Sequence, residues 1–202
     1  MRSHTLGSSR KLALAGLLLV GSLAGAVPAA AQTGGAAPPG STTTTTTTTP
    51  TTTTPTTPVP GTMAVLNPDG SAIPPAGAPR PIRKAINAAN RIRTKPYIWG
   101  GGHRSWKSSG YDCSGAVSYV LHAAGLLRKP MVSGALGTRW GVPGAGSWIT
   151  VYGNRSHAYM VLAGLRFDTS SAGDPFSQGS GPRWRTTLRA PTGYLSRFAP
   201  GL

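Results

Sequence analysis

Residues 108–125, SSGYDCSGAVSYVLHAAG, contain the only cysteine of the chain and decide which fold the sequence predicts. Glycine and serine precede Cys113 and apolar residues follow it at helical spacing, so the pattern predicts that a loop gives way to a helix at this point. A cysteine in the first helical turn faces unpaired backbone N–H groups and the positive end of the helix dipole. Both favour the thiolate. The position therefore indicates a reactive thiol.

A single cysteine excludes an internal disulfide, which leaves two alternatives to a reactive residue. One is pairing with a second molecule, and the other is a buried, inert side chain. The compartment in which the protein works bears on that choice.

The first 31 residues have the order of a secretory signal peptide. Basic residues precede an apolar run from Leu12 to Val20, and small residues follow, ending in AVPAAAQ. This order predicts cleavage after Ala31. An uncleaved membrane anchor is the alternative, although the strongly apolar core is shorter than the roughly 20 residues that a span needs. We expect a secreted protein with no stable membrane insertion after cleavage.

Residues 32–80 are rich in threonine and proline, including STTTTTTTTPTTTTPTTPVP. Such a segment has too few large apolar side chains to offset the entropy lost on ordering. We expect a disordered linker here and one folded domain over residues 81–202, a length typical of a single domain.

The chain is strongly basic. It has 20 lysines and arginines against 4 acidic residues, a net charge of +16, and no glutamate. The acidic residues of the predicted domain are Asp112, Asp168 and Asp174. This balance indicates a polyanionic neighbour. Nucleic acid is the competing partner, but the sequence has no recognised nucleic-acid motif and begins with a secretion signal, so we expect none.

Helical patterns come first in the predicted domain and strand patterns follow. Residues 81–95 have isoleucine and alanine at helical spacing, and a second helix is predicted from Cys113 to about Gly125. A glycine-rich connection over residues 132–146 leads into four segments rich in β-branched and aromatic residues. The order predicts an α+β domain in which helices pack on an antiparallel sheet. The predicted strands are SWITVY (147–152), HAYMVLA (157–163), LRFDTS (165–170) and RWRTT (183–187).

A thiolate nucleophile normally works with an imidazole, and four histidines are available. His4 leaves with the signal peptide, and His122 lies too far along the same helix to reach Cys113. His103 lies in a flexible glycine loop and could approach the thiol. His157 begins a predicted strand and so has a rigid mount.

An acidic residue follows His157 on the next predicted strand. Asp168 lies eleven residues further on, after a turn at residues 163–165. Antiparallel pairing places the two side chains beside each other, where the carboxylate can fix the tautomer and orientation of the imidazole. A strand-end histidine and a turn aspartate without a catalytic role are the alternatives.

Three blocks of sequence resemble the signatures of the NlpC-type cell-wall peptidases, papain-like cysteine hydrolases of peptidoglycan. The blocks are YIWGGG (97–102), YDCSGAVSYVLHAAGLL (111–127) and SHAYMVLAGLRFDT (156–169). The resemblance covers about residues 83–202, and the segments AGLRFDTS and GPRWR are most similar to secreted actinobacterial-type members.

The resemblance implies a role for each matching position. Cys113 matches the nucleophile, His157 the general base, and Asp168 the third residue, which is more often His, Asn or Gln in that family. Tyr97, Asp112 and Ser114 match residues that line the substrate cleft, where Asp112 would meet a cationic amine of the peptide. Simple packing beside the glycine loop is the alternative for Tyr97 and Trp99.

The resemblance also implies an activity. It is cleavage of the γ-D-glutamyl–diamino-acid amide bond of peptidoglycan stem peptides, by an extracellular, cell-wall-associated enzyme that needs no metal or cofactor. Anionic wall polymers such as teichoic acids would be further partners for the basic surface. Two alternatives remain open: a non-catalytic wall-binding module, and an amidase or transpeptidase on the same fold.

Overall fold

Helices and an antiparallel sheet make up the computed structural model of the protein, which describes residues 62–172 and 180–202. Over those ranges the chain forms three helices, a short hairpin and a six-stranded antiparallel sheet. The predicted α+β class is therefore confirmed. In chain order the elements are β1 (Val65–Leu66), β2 (Ala72–Ile73), α1 (Arg80–Ile92), α2 (Cys113–Ala123), α3 (Ser133–Thr138), β3 (Val142–Pro143), β4 (Ile149–Gly153), β5 (Ala158–Leu162), β6 (Leu165–Asp168), β7 (Arg183–Arg185) and β8 (Leu195–Phe198).

Helix α1 buries the apolar face that its spacing predicts. The buried residues of that face are Ile82, Ala85, Ile86, Ala88, Ala89 and Ile92. The helix ends three residues before the predicted end, at a C-cap on Arg93. Pro96 accounts for this end, since a proline disfavours helical backbone at the residue before it.

Helix α2 begins at Cys113, as predicted, and is buried along most of its length. The backbone of Asp112 is extended, and its carboxylate Oδ1 accepts a hydrogen bond from the Gly115 N–H at 2.7 Å, so the aspartate caps the helix. The buried stripe contains Val117, Val120 and Leu121, and the helix packs on both α1 and β5. This packing fixes the position of its first residue relative to the sheet.

The six-stranded sheet has the order β3-β8-β4-β5-β6-β7. Strands β5 to β7 fall within three of the predicted segments, β4 extends one residue beyond the fourth, to Gly153, and the four strands pair in sequence. Between β5 and β6 the turn uses left-handed backbone at Ala163 (φ 44°) and Gly164 (φ 83°), which suits the glycine. Strand β8, from the C-terminal segment, pairs with both β3 and β4 and was not predicted.

Part of the predicted glycine-rich connection is helical. Helix α3 contains two glycines, and the backbone of Gly137 lies so close to Gly153 on β4 that a Cβ atom would overlap the Gly153 carbonyl. The glycine therefore allows a helix to contact a strand directly, a use that composition alone does not distinguish from a loop.

The sequence predicts that the disordered linker extends to residue 80, but residues 62–80 contain regular structure. Strands β1 and β2 form a hairpin, and Ile73 and Ala78 are buried. The side chain of Asn90 on α1 bonds both the N–H and the carbonyl of Ala72, at 2.9 and 2.8 Å. The folded part therefore starts earlier in the chain than residue 81.

The predicted signal peptide and residues 32–61 of the predicted linker lie outside the described residues. Over residues 62–172 and 180–202, no helix is both long and apolar enough to cross a membrane.

Candidate active site

The thiol of Cys113 lies in the wall of an open cleft of about 650 Å³. Cys113 is the first residue of α2 and is 8% exposed. Its sulfur is therefore largely shielded, next to the N-terminal turn of a helix, where backbone N–H groups and the helix dipole favour negative charge.

The glycine loop before α2 packs against the first turn of the helix. Asp112 joins the two, since its Oδ2 accepts from the Gly100 N–H at 3.0 Å and its Oδ1 from the Gly115 N–H at 2.7 Å. A Cβ atom on Gly115 would overlap the carbonyl oxygen of Gly101. The loop can approach the first turn of the helix this closely because residue 115 is glycine.

The structure brings His157 and Asp168 into contact. His157 comes directly before β5 and Asp168 ends β6, and these two strands pair as an antiparallel hairpin. The His157 Nε2 lies 2.8 Å from the Asp168 Oδ1. The histidine side chain is 17% exposed and the carboxylate is 0% exposed, so the pair is shielded from water on the carboxylate side.

Cys113 and His157 interact across the junction of helix and sheet. Burial opposes ionisation of the Cys113 thiol, but hydrogen bonds to the His157 side chain and the Ala158 backbone outweigh burial, and the pKa of Cys113 lies below its ordinary value. Burial likewise disfavours the imidazolium, yet the hydrogen bonds with Asp168 and Cys113 raise the pKa of His157 to about 9. Because Nε2 contacts Asp168, the Nδ1 atom is the nitrogen left for the thiol. The arrangement favours a thiolate–imidazolium pair.

Two arginines lie beside Asp168, and neither is predicted from the sequence as a site residue. Arg166 Nε lies 3.7 Å and Arg189 Nη1 lies 3.3 Å from Asp168 Oδ2. Burial raises the pKa of Asp168, but the hydrogen bond and charge of His157, the Ser170 N–H and Arg166 outweigh it, and the pKa lies below its ordinary value. The alternation R-F-D on β6 was a signal for Arg166, because residues two apart share a face of a strand. Arg189 lies in a segment without any pattern.

Tyr97 lies between two cavities. It lines the cleft that contains Cys113, and it also lines a cavity of about 330 Å³ that contains His157 and Ser170. Trp99, beside it, is 87% exposed at the edge of the larger cleft. Because its side chain is this exposed, Trp99 does not simply pack beside the glycine loop. An extended ligand could pass Tyr97 and occupy both cavities.

Asp112 and Ser114 also line the larger cleft. The carboxylate of Asp112 is 11% exposed and is bonded within the protein, by the two N–H groups described above and by Ser114 Oγ at 3.2 Å. His103 Nε2 lies 3.1 Å from both Asp112 Oδ1 and Ser114 Oγ. Asp112 therefore organises the start of the helix whether or not it contacts a ligand.

The remaining histidines differ in position. His103 lines the same cleft as Cys113, with its ring nitrogen on Asp112 and Ser114. His122 stacks on Trp106, with ring centroids 4.0 Å apart, and its Nδ1 lies 3.0 Å from the Leu127 carbonyl oxygen.

The chain is similar to several solved structures. A hypothetical invasion protein of Mycobacterium tuberculosis is 24% identical, over 59% of this chain and 65% of that chain, with a TM-score of 0.42. The peptidoglycan hydrolase RipB from the same organism is 24% identical, over 62% and 68%, with a TM-score of 0.44. The Resuscitation Promoting Factor Interacting protein RipA is 23% identical, over 60% and 66%, with a TM-score of 0.42.

The chain spans about two thirds of the length of these structures, so the similarity covers only part of each protein. No protein-family model and no curated protein matches the sequence.

Proposed function

We propose that the protein is a secreted cysteine hydrolase that cleaves the γ-D-glutamyl–diamino-acid amide bond of peptidoglycan stem peptides. The observation that carries the proposal is the set Cys113, His157 and Asp168. The imidazole of His157 lowers the pKa of the Cys113 thiol, and its Nε2 lies 2.8 Å from the buried Asp168 carboxylate. The signature blocks around these residues, which resemble those of the NlpC-type peptidases, supply the substrate class.

The three residues have distinct roles in the proposed reaction. The Cys113 thiolate attacks the scissile carbonyl, and the N–H groups of the first turn of α2 hold the oxyanion. His157 donates its proton to the leaving amine, which leaves a thioester on Cys113. His157 then takes a proton from water, which attacks the thioester and releases the carboxylate product and the thiolate. Asp168 orients the imidazole throughout.

The same proposal places the substrate along both cavities that Tyr97 borders. Tyr97, Asp112 and Ser114 would contact the peptide on the Cys113 side, as the signature resemblance implies. The exposed indole of Trp99 offers a flat apolar surface at the entrance. The secretion signal in residues 1–31 and the spacer before the domain would bring this cleft to the wall.

Digestion of purified muropeptides with analysis of the products by mass spectrometry tests this function. The expected products end in γ-D-glutamate on one side and begin with the free amine of the diamino acid on the other. Opening of a different amide, or transfer of the acyl group to an amine instead of water, would support the amidase or transpeptidase alternative and contradict the proposal.

Arg155 is expected to determine whether an anionic substrate is preferred. Its side chain is exposed and lines the cleft with Cys113 and Ser156, and its carbonyl accepts a hydrogen bond from Ser133 on α3 at 3.4 Å. A γ-linked glutamyl residue retains a free α-carboxylate, for which a guanidinium is the natural partner.

Arg155→Gln should raise KM for stems with the free α-carboxylate about two- to fivefold, the scale of one exposed ion pair. Stems in which that carboxylate is amidated should show the same KM with wild type and variant. Steady-state kinetics on the two substrates measures the difference, and Arg155→Lys should restore part of the preference. An equal rise in KM for both substrates would refute the assignment.

A basic groove favours anionic wall polymers as a second class of partner. Of the described carboxylates, Asp69 pairs with Arg93 at 3.2 Å, and Asp112 and Asp168 are engaged at the site above. The groove, of about 400 Å³, is lined by three cations and by aromatic side chains, of which Trp106 and Tyr119 are partly exposed and Tyr111 is buried. The cations are Arg91, Lys95 and Lys107, and the aromatic residues are Trp106, Tyr111 and Tyr119.

Changing the three groove cations to glutamine should weaken sedimentation with purified walls about tenfold at low salt, and retention of wild type should fall as salt rises. The matched control changes Arg128, Lys129 and Arg139 to glutamine, with the same loss of charge outside the groove. Equal weakening in both variants would mean that net charge alone acts. Retention without any turnover of muropeptides would favour the wall-binding module.

A further inference from the structure

We propose that Arg189 is a positioning residue that fixes the Asp168 carboxylate and limits how tightly it holds the protonated His157. This inference rests on the proposed function. It assigns a role to a residue from the segment between β7 and β8, far along the chain from Cys113, that neither the signature blocks nor the local sequence pattern marks.

The guanidinium of Arg189 is held from three directions. Nη1 lies 3.3 Å from Asp168 Oδ2. The carbon Cζ lies 5.4 Å from the ring centroid of Tyr159 and 5.2 Å from that of Tyr194. These two rings pack edge to face with centroids 5.1 Å apart. Cation–π contacts with two fixed rings leave the arginine little freedom, which suits a group that positions another.

The two oxygens of Asp168 have different partners. Oδ1 receives the Ser170 N–H at 2.9 Å and lies 2.8 Å from His157 Nε2. Oδ2 lies near Arg166 and Arg189. Rotation of the carboxylate would break contacts at both oxygens, so the arginines keep Oδ1 directed at the imidazole.

Arg189 also reduces the net negative charge beside the imidazole of His157. A fully buried carboxylate alone would stabilise an imidazolium strongly and delay the transfer of its proton to the leaving amine. A guanidinium on Oδ2 neutralises part of that charge while leaving Oδ1 as a hydrogen-bond acceptor. Arg189 is 19% exposed, so its own charge is only partly screened by water.

Several charged or titratable groups face the Asp168–His157 pair, and each belongs to a different element. Cys113 comes from α2, Arg166 from β6 beside Asp168, and Tyr159 from β5. Tyr194 comes from the segment before β8, with its ring centroid 6.4 Å from that of His157. Tyr97 borders the cavity that His157 lines. Of the two arginines near Asp168 among the described residues, Arg166 belongs to the β5–β6 hairpin and Arg189 comes from outside it.

Arg189→Met removes the charge but keeps a side chain of similar length. We expect kcat at neutral pH to fall about tenfold, because the imidazolium gives up its proton less readily while Arg166 remains near Oδ2. We also expect the alkaline limb of the pH–rate profile to move upward by about half a unit or more, because the imidazolium is then held more tightly. Arg189→Lys, which retains a charge, should keep the limb near its wild-type position. Arg128→Met, on the exposed surface, is the control.

The direction of the shift separates this role from a purely structural one. If Arg189 only supported the fold of the site, its loss would let Asp168 drift from His157, and the limb would move downward toward the ordinary histidine pKa. A downward shift, or equal profiles for the Met and Lys variants with unchanged kcat, would overturn the inference. Thermal unfolding of each variant verifies that the full chain remains folded.

A substrate-free measurement separates this inference from the proposed function. The ring signals of His157, followed by NMR across a pH titration of the full chain, should show a higher pKa in Arg189→Met than in wild type. That shift in a protein that cleaves no muropeptide would uphold the inference and contradict the proposed function. Normal cleavage by wild type with no shift of the His157 pKa in the variant would do the reverse.

Discussion

Replacing Cys113 by alanine is expected to lower the hydrolysis of muropeptides by at least about ten-thousand-fold, because the variant has no atom that can form the thioester. Product release followed by chromatography and mass spectrometry measures the loss. The free energy of unfolding should change little. The side chain is small and borders the open cleft, so its removal leaves no large internal cavity.

The single cysteine of the chain gives this prediction a sharp control. Alkylation with iodoacetamide can modify one thiol only, and inactivation should reach completion at one label per molecule. Because the pKa of Cys113 is lowered by His157, the labelling rate at pH 7 should exceed that of the His157→Gln variant. An alanine variant that still releases the same products would remove Cys113 as nucleophile. A thiol that labels no faster than a free cysteine would remove the proposed ion pair.

Sequence patterns predict the elements of this fold whose deciding residues are close together in the chain. Helix α2 could be predicted to start at Cys113 because glycine and serine precede this residue and apolar residues follow it at helical spacing. The hairpin of β5 and β6 has β-branched and aromatic residues on both sides of a turn. In both cases the residues that decide the structure are neighbours in the chain.

The elements that were missed depend on distant partners. The hairpin of β1 and β2 is short and is held by the Asn90 side chain from α1. Strand β8 pairs with β3 and β4, which lie more than 40 residues earlier. Helix α3 needs the glycine backbone of β4 beside it. No local spacing encodes these contacts, so composition indicates a linker at β1 and β2 and a loop at α3, and it predicts no element at β8.

The residues of the candidate site likewise fall into those that local sequence patterns predict and those that they do not. The positions of Cys113, His157 and Asp168 could be inferred because Cys113 and His157 each begin a predicted element and Asp168 lies on the predicted strand that follows His157. Arg189 could not, since it reaches Asp168 from a segment with no periodic pattern. The family resemblance implies that Asp112 contacts the substrate, and its hydrogen bonds to Gly100 and Gly115 show that the same carboxylate also caps the helix.

Replacing Asp168 by asparagine is expected to lower kcat by about tenfold to a hundredfold, less than the roughly ten-thousand-fold loss in a Ser-His-Asp triad, because asparagine serves as the third residue in Cys-His-Asn sites. Asparagine can still bond to His157, but it offers no charge. The pKa of His157 should therefore fall from about 9 toward the ordinary value of 6.5. Since His157 must be protonated to release the amine, the alkaline limb of the pH–rate profile should move downward with it.

Measurement of kcat/KM from pH 5 to 10 for wild type and Asp168→Asn gives this shift directly, and the double variant with Arg189→Met tests its cause. Removing the carboxylate lowers the limb, whereas removing the arginine raises it only while the carboxylate is present. Without the carboxylate there is no negative charge for the guanidinium to neutralise. The double variant should therefore resemble Asp168→Asn. An alkaline limb that stays in place in Asp168→Asn would mean that the carboxylate does not set the protonation of His157. The imidazolium would then owe its stability to the thiolate of Cys113 alone.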